Sequence, residues 1–110
     1  GGAQALGGDG ELVAAADPSG RLSAWRTLTG DLAWNTEHLL HRGLSGVVVV
    51  GRTVVVGDFE GQVHFLDRVN GKTLLRLPTD GSQVIGAPVV SGNTILVATR
   101  NGGLFAFRPE

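Results

Sequence analysis

Three neighbouring residues, His38, His41 and Arg42, are the side chains best spaced for metal or partner chemistry. Two imidazoles three residues apart could share a zinc ion, but a zinc site takes three or four protein ligands. No trio of carboxylates accompanies them, so we predict no metal site. We expect a structured loop whose Arg and His side chains bond backbone carbonyls or contact a protein partner.

Catalytic side chains are scarce. Asp58 and Glu60 could suggest paired carboxylates or a calcium loop, but Asp58 more simply caps its own turn and Glu60 is a solvated charge at the turn tip. The serines lack a G-x-S-x-G setting, and the absence of Cys excludes thiolate nucleophiles, disulfides and Cys-based zinc sites. We therefore expect neither an enzyme nor a bound cofactor.

The overall composition restricts the partners. Nine Lys and Arg oppose ten Asp and Glu, so the net charge of -1 provides no positive field for nucleic acid. No apolar run approaches the roughly 18 residues of a spanning helix, so we expect no direct membrane insertion by this segment. The start, Gly1-Gly2-Ala3-Gln4, lacks the regions of a signal peptide and is typical of a fragment boundary.

Glycines and apolar residues recur along the chain every 41 residues. The glycines form three series: Gly20, Gly61 and Gly102; Gly10, Gly51 and Gly92; Gly30 and Gly71. Apolar positions follow the same step, for example Leu22, Val63 and Leu104. Such a period is typical of repeat architectures in which each repeat contributes one small sheet.

Short β-branched runs alternate with turn residues inside each period, which favours strands over helices. The strands predicted in the middle repeat cover 45–50, 53–58, 62–67 and 73–78, and those in the last repeat cover 87–90, 94–99 and 103–108. Gly20, Gly61 and Gly102 each occupy the fourth position of a turn between the second and third strands.

The inner strands indicate how the sheets are covered. VVVV at 47–50, TVVV at 53–56 and TILVA at 94–98 are continuously apolar, so both sheet faces should be buried. Stacked antiparallel blades of a β-propeller achieve this. We predict an all-β partial propeller: one domain over 1–110, with eleven strands in blades of four, four and three. The repeats fall at about 4–44, 45–86 and 87–110, and the last lacks its outer strand, which leaves an edge for self-association.

One repeat carries a recognisable motif. Ala24, Gly30 and Trp34 resemble the tryptophan-docking motif of PQQ-dehydrogenase-like propellers, and the motif recurs at Asp67, Gly71 and Leu75, with Leu75 in place of Trp. Arg26 stands where the motif usually has Asp. We expect Trp25 and Trp34 to serve packing and docking and not to stack a quinone, since the vicinal Cys pair of the quinone enzymes is absent.

A longer stretch resembles one family. The residues from Glu37 to Arg42, the run VVVGDFEGQVHFLD and the closing GGLFAF are similar to the C-terminal end of the BamB family. This resemblance implies the last three blades of an eight-bladed PQQ-like propeller, a non-enzymatic scaffold lipid-anchored on the periplasmic side of the bacterial outer membrane. Its implied partner is the periplasmic part of the BamA-type barrel-assembly subunit. The alternatives are a fragment of a PQQ-dependent dehydrogenase or of a PQQ-like repeat sensor domain.

Overall fold

The computed structural model describes residues 6–108, and within that range it contains eleven strands and no helix. The strands are β1 Leu6–Gly8, β2 Leu12–Ala16, β3 Leu22–Arg26, β4 Leu32–Thr36, β5 Val47–Val50, β6 Thr53–Gly57, β7 Gln62–Asp67, β8 Thr73–Pro78, β9 Val84–Ser91, β10 Thr94–Thr99 and β11 Leu104–Phe107. Across the described range, therefore, no helix of sufficient length and apolarity to span a membrane is present.

The strands form three antiparallel sheets, which confirms the prediction of four, four and three strands. The first blade has the order β1-β2-β3-β4, the second β5-β6-β7-β8 and the third β11-β10-β9. Neighbouring strands are joined by short turns, as in the β5–β6 hairpin, where Val50 pairs with Thr53. The sequential order within each blade follows from these hairpins, because each strand pairs with the next strand of the same blade.

The turns between the second and third strands of each blade share one geometry. Gly20, Gly61 and Gly102 have positive φ angles of 100°, 82° and 89°. Each donates its backbone N–H to the carbonyl three residues earlier, at 3.0 Å for Gly20, 3.2 Å for Gly61 and 3.0 Å for Gly102. The three turns therefore lie at equivalent places, at the same end of their blades.

Two apolar clusters hold the blades together. The first lies between the first and second blades and includes Leu22, Trp34 and Val54. The second lies between the second and third blades, where Phe65 and Phe107 make an edge-to-face contact with ring centroids 5.9 Å apart. In the middle blade, β6 is buried on both faces, because Val54 points to the first cluster and Val55 to the second, whereas the outer strand β8 is mostly exposed.

The third blade departs from the predicted strand bounds at β9. β9 begins at Val84 and not at position 87, because the Val84 N–H donates to the Asp58 carbonyl at 3.0 Å and its side chain packs over Gly57. Burial alternates along β10, where Ile95 and Val97 are buried and Leu96 is half-exposed. Only one face of this sheet packs on another among the described residues, so Leu96 remains half-exposed.

Candidate functional site

A buried carboxylate organises the turn of the middle blade. Asp58 lies directly after β6 and is 0% exposed. Its Oδ1 accepts the backbone N–H groups of Glu60 and Gln62, each at 2.9 Å. Asp58 therefore caps its own turn, as the sequence predicts, and Glu60 extends into solvent with its side chain 77% exposed.

Two further side chains converge on the other oxygen of Asp58. His64, in β7, is 1% exposed and its Nε2 lies 2.8 Å from Asp58 Oδ2. Arg42 donates from Nη1 to the same oxygen at 3.3 Å, and this nitrogen lies 3.9 Å from Glu60 Oε1. Burial lowers the pKa of His64, although the hydrogen bond to Asp58 opposes the change. Because a carboxylate oxygen can only accept, the hydrogen bond to Asp58 requires a proton on Nε2 of the imidazole.

The connection between the first and second blades delivers Arg42 to this cluster. On one side, the His41 N–H donates to the Ser19 carbonyl at 2.9 Å. On the other, the Arg42 carbonyl accepts the Phe59 N–H at 2.9 Å. His41 is the one non-glycine residue with positive φ, at 64°, in the described range, which is a strained conformation that the flanking bonds maintain.

The equivalent turns of the other blades need no histidine. In the first blade, Asp17 Oδ1 accepts the N–H groups of Ser19, Gly20 and Arg21. The hydrogen bond from the Ser19 hydroxyl is the main cause that lowers the pKa of Asp17. In the third blade, Thr99 Oγ1 accepts the Gly103 N–H and donates to Asp80. His64 and Arg42 are thus additions to a turn that forms without them.

The two histidines singled out from the sequence have different surroundings. The His38 ring bonds the hydroxyl of Thr36 through Nδ1 and that of Thr73, at 2.8 Å, through Nε2. His41 borders a shallow surface depression beside Arg42 and Phe59. Between residues 6 and 108, no three His, Asp or Glu side chains form a group that could hold a metal ion.

Trp34 docks on the next blade. Its indole Nε1 donates to the Arg68 carbonyl at 2.8 Å, and its ring covers Gly71, where an added Cβ would lie 2.7 Å from Trp34 Cδ2. Gly30 has a similar φ, 78° against 76°, but an added Cβ there would meet nothing within 4 Å. Trp25 is half-buried and borders a different surface depression with Pro18 and Arg21.

An ion pair crosses the same joint between blades. The Arg68 guanidinium bonds both carboxylate oxygens of Asp9, at 2.7 and 3.1 Å, and also the Gly51 carbonyl at 2.9 Å. This contact holds the pKa of Asp9 well below its usual range. Arg68 therefore joins three turns at the end of the blades opposite Asp58.

Sequence reasoning overlooked His64 and the Asp9–Arg68 pair. His64 is the one polar residue in the buried part of β7, positions 63–66, and a polar residue at such a position needs a buried partner. In the structure this partner is Asp58, six residues earlier at the start of the adjoining turn. A search of that turn for an acidic residue would have predicted the pair. Asp9 and Arg68 are 59 positions apart and offer no comparable local signal.

These stacked antiparallel sheets of four, four and three strands, with a tryptophan docked between the first two, define a segment of a PQQ-like β-propeller. The family described as "Outer membrane protein assembly factor BamB" matches residues 37–110, and the chain belongs to this family. A relative from Burkholderia pseudomallei with that name is 41% identical over 102 residues, covering 93% of this chain and 27% of the relative.

Solved structures agree with the assignment. The crystal structure of BamB from Moraxella catarrhalis has a TM-score of 0.84 and 26% identity, over 94% of this chain and 30% of that one. Quinohemoprotein alcohol dehydrogenase from Comamonas testosteroni has a TM-score of 0.75 over 98% of this chain and 19% of that one, and its 19% identity shows a shared fold alone. The chain spans about a quarter to a third of the BamB proteins it matches.

Proposed function

We propose that this chain is part of a non-enzymatic scaffold in the assembly of outer-membrane proteins, presenting propeller turns and strand edges to protein partners. The observation that carries the proposal is the 41% identity over 93% of the chain to a relative named as an outer membrane protein assembly factor. The dehydrogenase alternative has only a shared fold in its favour.

The distribution of polar side chains supports a scaffold. Within residues 6–108 the buried polar residues are Asp58, His64 and Thr99, and each bonds a turn or a neighbouring strand. No buried side-chain nitrogen or oxygen of the described part lacks a hydrogen-bond partner. Side chains committed in this way stiffen the turns, and stiff turns lose little conformational entropy when a partner binds.

The partner in this proposal is the periplasmic part of a BamA-type barrel-assembly subunit. The full-length protein would lie on the periplasmic side of the outer membrane, held there by a lipid anchor. His38, His41 and Arg42 lie on the connection between blades and are proposed to structure that connection or to contact the partner. We further propose that the full-length protein forms an eight-bladed ring, and that new repeats begin near residues 45 and 87 of this chain.

Binding of the purified chain to the purified periplasmic domains of a BamA-type subunit tests the proposal. We expect saturable binding by calorimetry, and none to an unrelated periplasmic protein of similar net charge. A parallel sample receives PQQ, calcium and a redox dye, and we expect no alcohol oxidation. Absence of binding would contradict the assembly role, and dye reduction with turnover would contradict the non-enzymatic role.

A further inference from the structure

We propose that Asn101 is a site of spontaneous deamidation, whereas the fold protects Asn70, the other asparagine that precedes a glycine. Both asparagines are exposed and lie in turns, Asn70 between β7 and β8 and Asn101 between β10 and β11. The inference concerns a covalent modification of the chain, so it goes beyond the scaffold function and does not depend on it.

The reaction joins a backbone nitrogen to the side chain of the preceding residue. The amide nitrogen of the glycine loses its proton and bonds to Cγ of the asparagine, and the side-chain nitrogen takes up a proton and leaves as ammonia. The product is a five-membered succinimide ring, which water opens at either carbonyl to give aspartate or isoaspartate. Glycine obstructs this attack less than any other residue, because it has no Cβ.

The fold restrains both reacting groups at Asn70. Gly71 is buried, and the Trp34 indole covers it so closely that an added Cβ would lie 2.7 Å from Trp34 Cδ2. The Gly71 N–H donates to the Asp67 carbonyl at 2.8 Å. Asn70 Oδ1 accepts the Lys72 N–H at 2.9 Å, which fixes the carboxamide. The peptide group between Asn70 and Gly71 therefore cannot rotate towards Cγ unless the indole moves.

The turn at Asn101 lacks such a cover among residues 6–108. Gly102 is exposed, and an added Cβ there would meet no described atom within 4 Å. The Asn101 N–H donates to Ser82 Oγ at 3.1 Å, but its carboxamide bonds no residue of the described range. The attacking nitrogen is engaged only through the Gly102 N–H, which donates to the Thr99 carbonyl at 3.0 Å. Water can replace this bond in an exposed turn, so the attack geometry is accessible.

The repeat does not require an asparagine in this turn. The positions equivalent to Asn101 in the first two blades hold Ser19 and Glu60, and their turns have the same positive-φ glycine and the same backbone hydrogen bond. Isoaspartate at position 101 would lengthen the backbone by one carbon and add a negative charge just before β11. In the described range β11 pairs with β10 alone, so the modification lies beside the sheet edge with least support.

Mass spectrometry of the chain after incubation in mildly alkaline buffer tests the inference, with electron-transfer fragmentation to separate isoaspartate from aspartate. In urea, where the fold is absent, we expect both asparagines to react at similar rates. In the folded chain Asn70 should react at least about tenfold more slowly than Asn101, which corresponds to ~1.4 kcal/mol in the barrier. Isoaspartate should form at position 101, since water opens the succinimide at either carbonyl.

Variants separate the effect of the fold from that of the local sequence. Trp34→Ala should accelerate the reaction at Asn70 by about tenfold and leave Asn101 unchanged. Trp34→Phe, the matched control, keeps an aromatic ring over Gly71 and should preserve the protection. Gly102→Ala should slow the reaction at Asn101 alone, because its Cβ obstructs the attack. Circular dichroism and thermal melts establish that each variant folds, and the comparison of folded and urea-treated chains needs no variant.

Several results would overturn the inference. Equal rates at Asn70 and Asn101 in the folded chain would show that the fold gives no selective protection. An Asn101 that stays intact when folded but reacts in urea would show that its turn is closed to the attack. Aspartate without isoaspartate would replace the succinimide route by direct hydrolysis. Protection of Asn70 that survives in Trp34→Ala would remove the role of the indole.

Discussion

Replacing Gly71 by alanine should destabilise the chain far more than the same change at Gly30, its equivalent one repeat earlier. Both glycines have positive φ, 76° and 78°, so an alanine suffers the same backbone strain at either position. Only at Gly71 does the new Cβ meet the indole of Trp34, with Cδ2 at 2.7 Å. The comparison therefore isolates the docking contact from the conformational preference of glycine.

The magnitude follows from three separate effects of the substitution. Left-handed backbone costs an alanine about 1–2 kcal/mol, which applies to both variants. At Gly71 the indole must also move, and overpacking of this kind costs about 1–3 kcal/mol. The movement breaks the hydrogen bond from Trp34 Nε1 to the Arg68 carbonyl, which is 2.8 Å long and contributes about 1 kcal/mol. We expect Gly71→Ala to lose roughly 2–4 kcal/mol more than Gly30→Ala.

Urea unfolding followed by tryptophan fluorescence and circular dichroism measures the difference. At about 4–8 °C per kcal/mol, the two variants should also differ by roughly 10 °C or more in Tm. In a Trp34→Ala background the extra penalty at Gly71 should disappear, because the indole that causes it is gone. Free energies of unfolding for Gly71→Ala and Gly30→Ala that agree within about 0.5 kcal/mol would refute the docking contact.

Three further outcomes are expected. Because burial lowers the folded-state pKa of His64, the unfolded chain binds the proton more readily, so the free energy of unfolding should be highest above pH ~6.5 and fall as the pH drops below it. Urea midpoints measured across that range should change less in His64→Gln, and an identical pH dependence would contradict this. In thermal melts, Gly61→Ala should lose about 1–3 kcal/mol more stability than Gly102→Ala. Both glycines have positive φ, but only at Gly61 would the added Cβ lie 2.7 Å from the Ser82 carbonyl oxygen. Equal losses of stability would count against this packing. Finally, β11 pairs only with β10 in the described range, and Ile85, Val89 and Leu104 are exposed. Light scattering should therefore show association that increases with protein concentration. A stable monomer with protected amides over 104–107 would argue against this.

Local chemistry made much of the fold predictable. The bounds of β7 and β8 agree with the ranges predicted at 62–67 and 73–78, because turn residues such as Gly61 and Gly71 flank these strands. The predicted start of β9 was three residues late, since Val84 extends that strand through contacts with Asp58 and Gly57 in another blade. The residues of a strand do not by themselves predict where it begins when that position depends on contacts with a neighbouring blade.

The candidate site was likewise predictable only in part. Turn capping by Asp58 was predictable, because an Asp at the first position of a turn reaches the amides that follow it. The meeting of Asp58 with His64 and Arg42 was not, since it depends on strand register and on how the connection between blades crosses the turn. The sequence analysis grouped Arg42 with His38 and His41. In the structure Arg42 bonds Asp58, whereas the His38 ring bonds Thr73.

By itself, the sequence determined the repeat, the strand order and the position of each turn, because hairpin pairing joins residues that are close along the chain. The tertiary structure alone decided which side chains meet between blades. Trp34 covers Gly71, and Arg68 reaches Asp9 across 59 positions. Such contacts depend on the angle and spacing at which two sheets stack, and the residue pattern within one strand specifies neither.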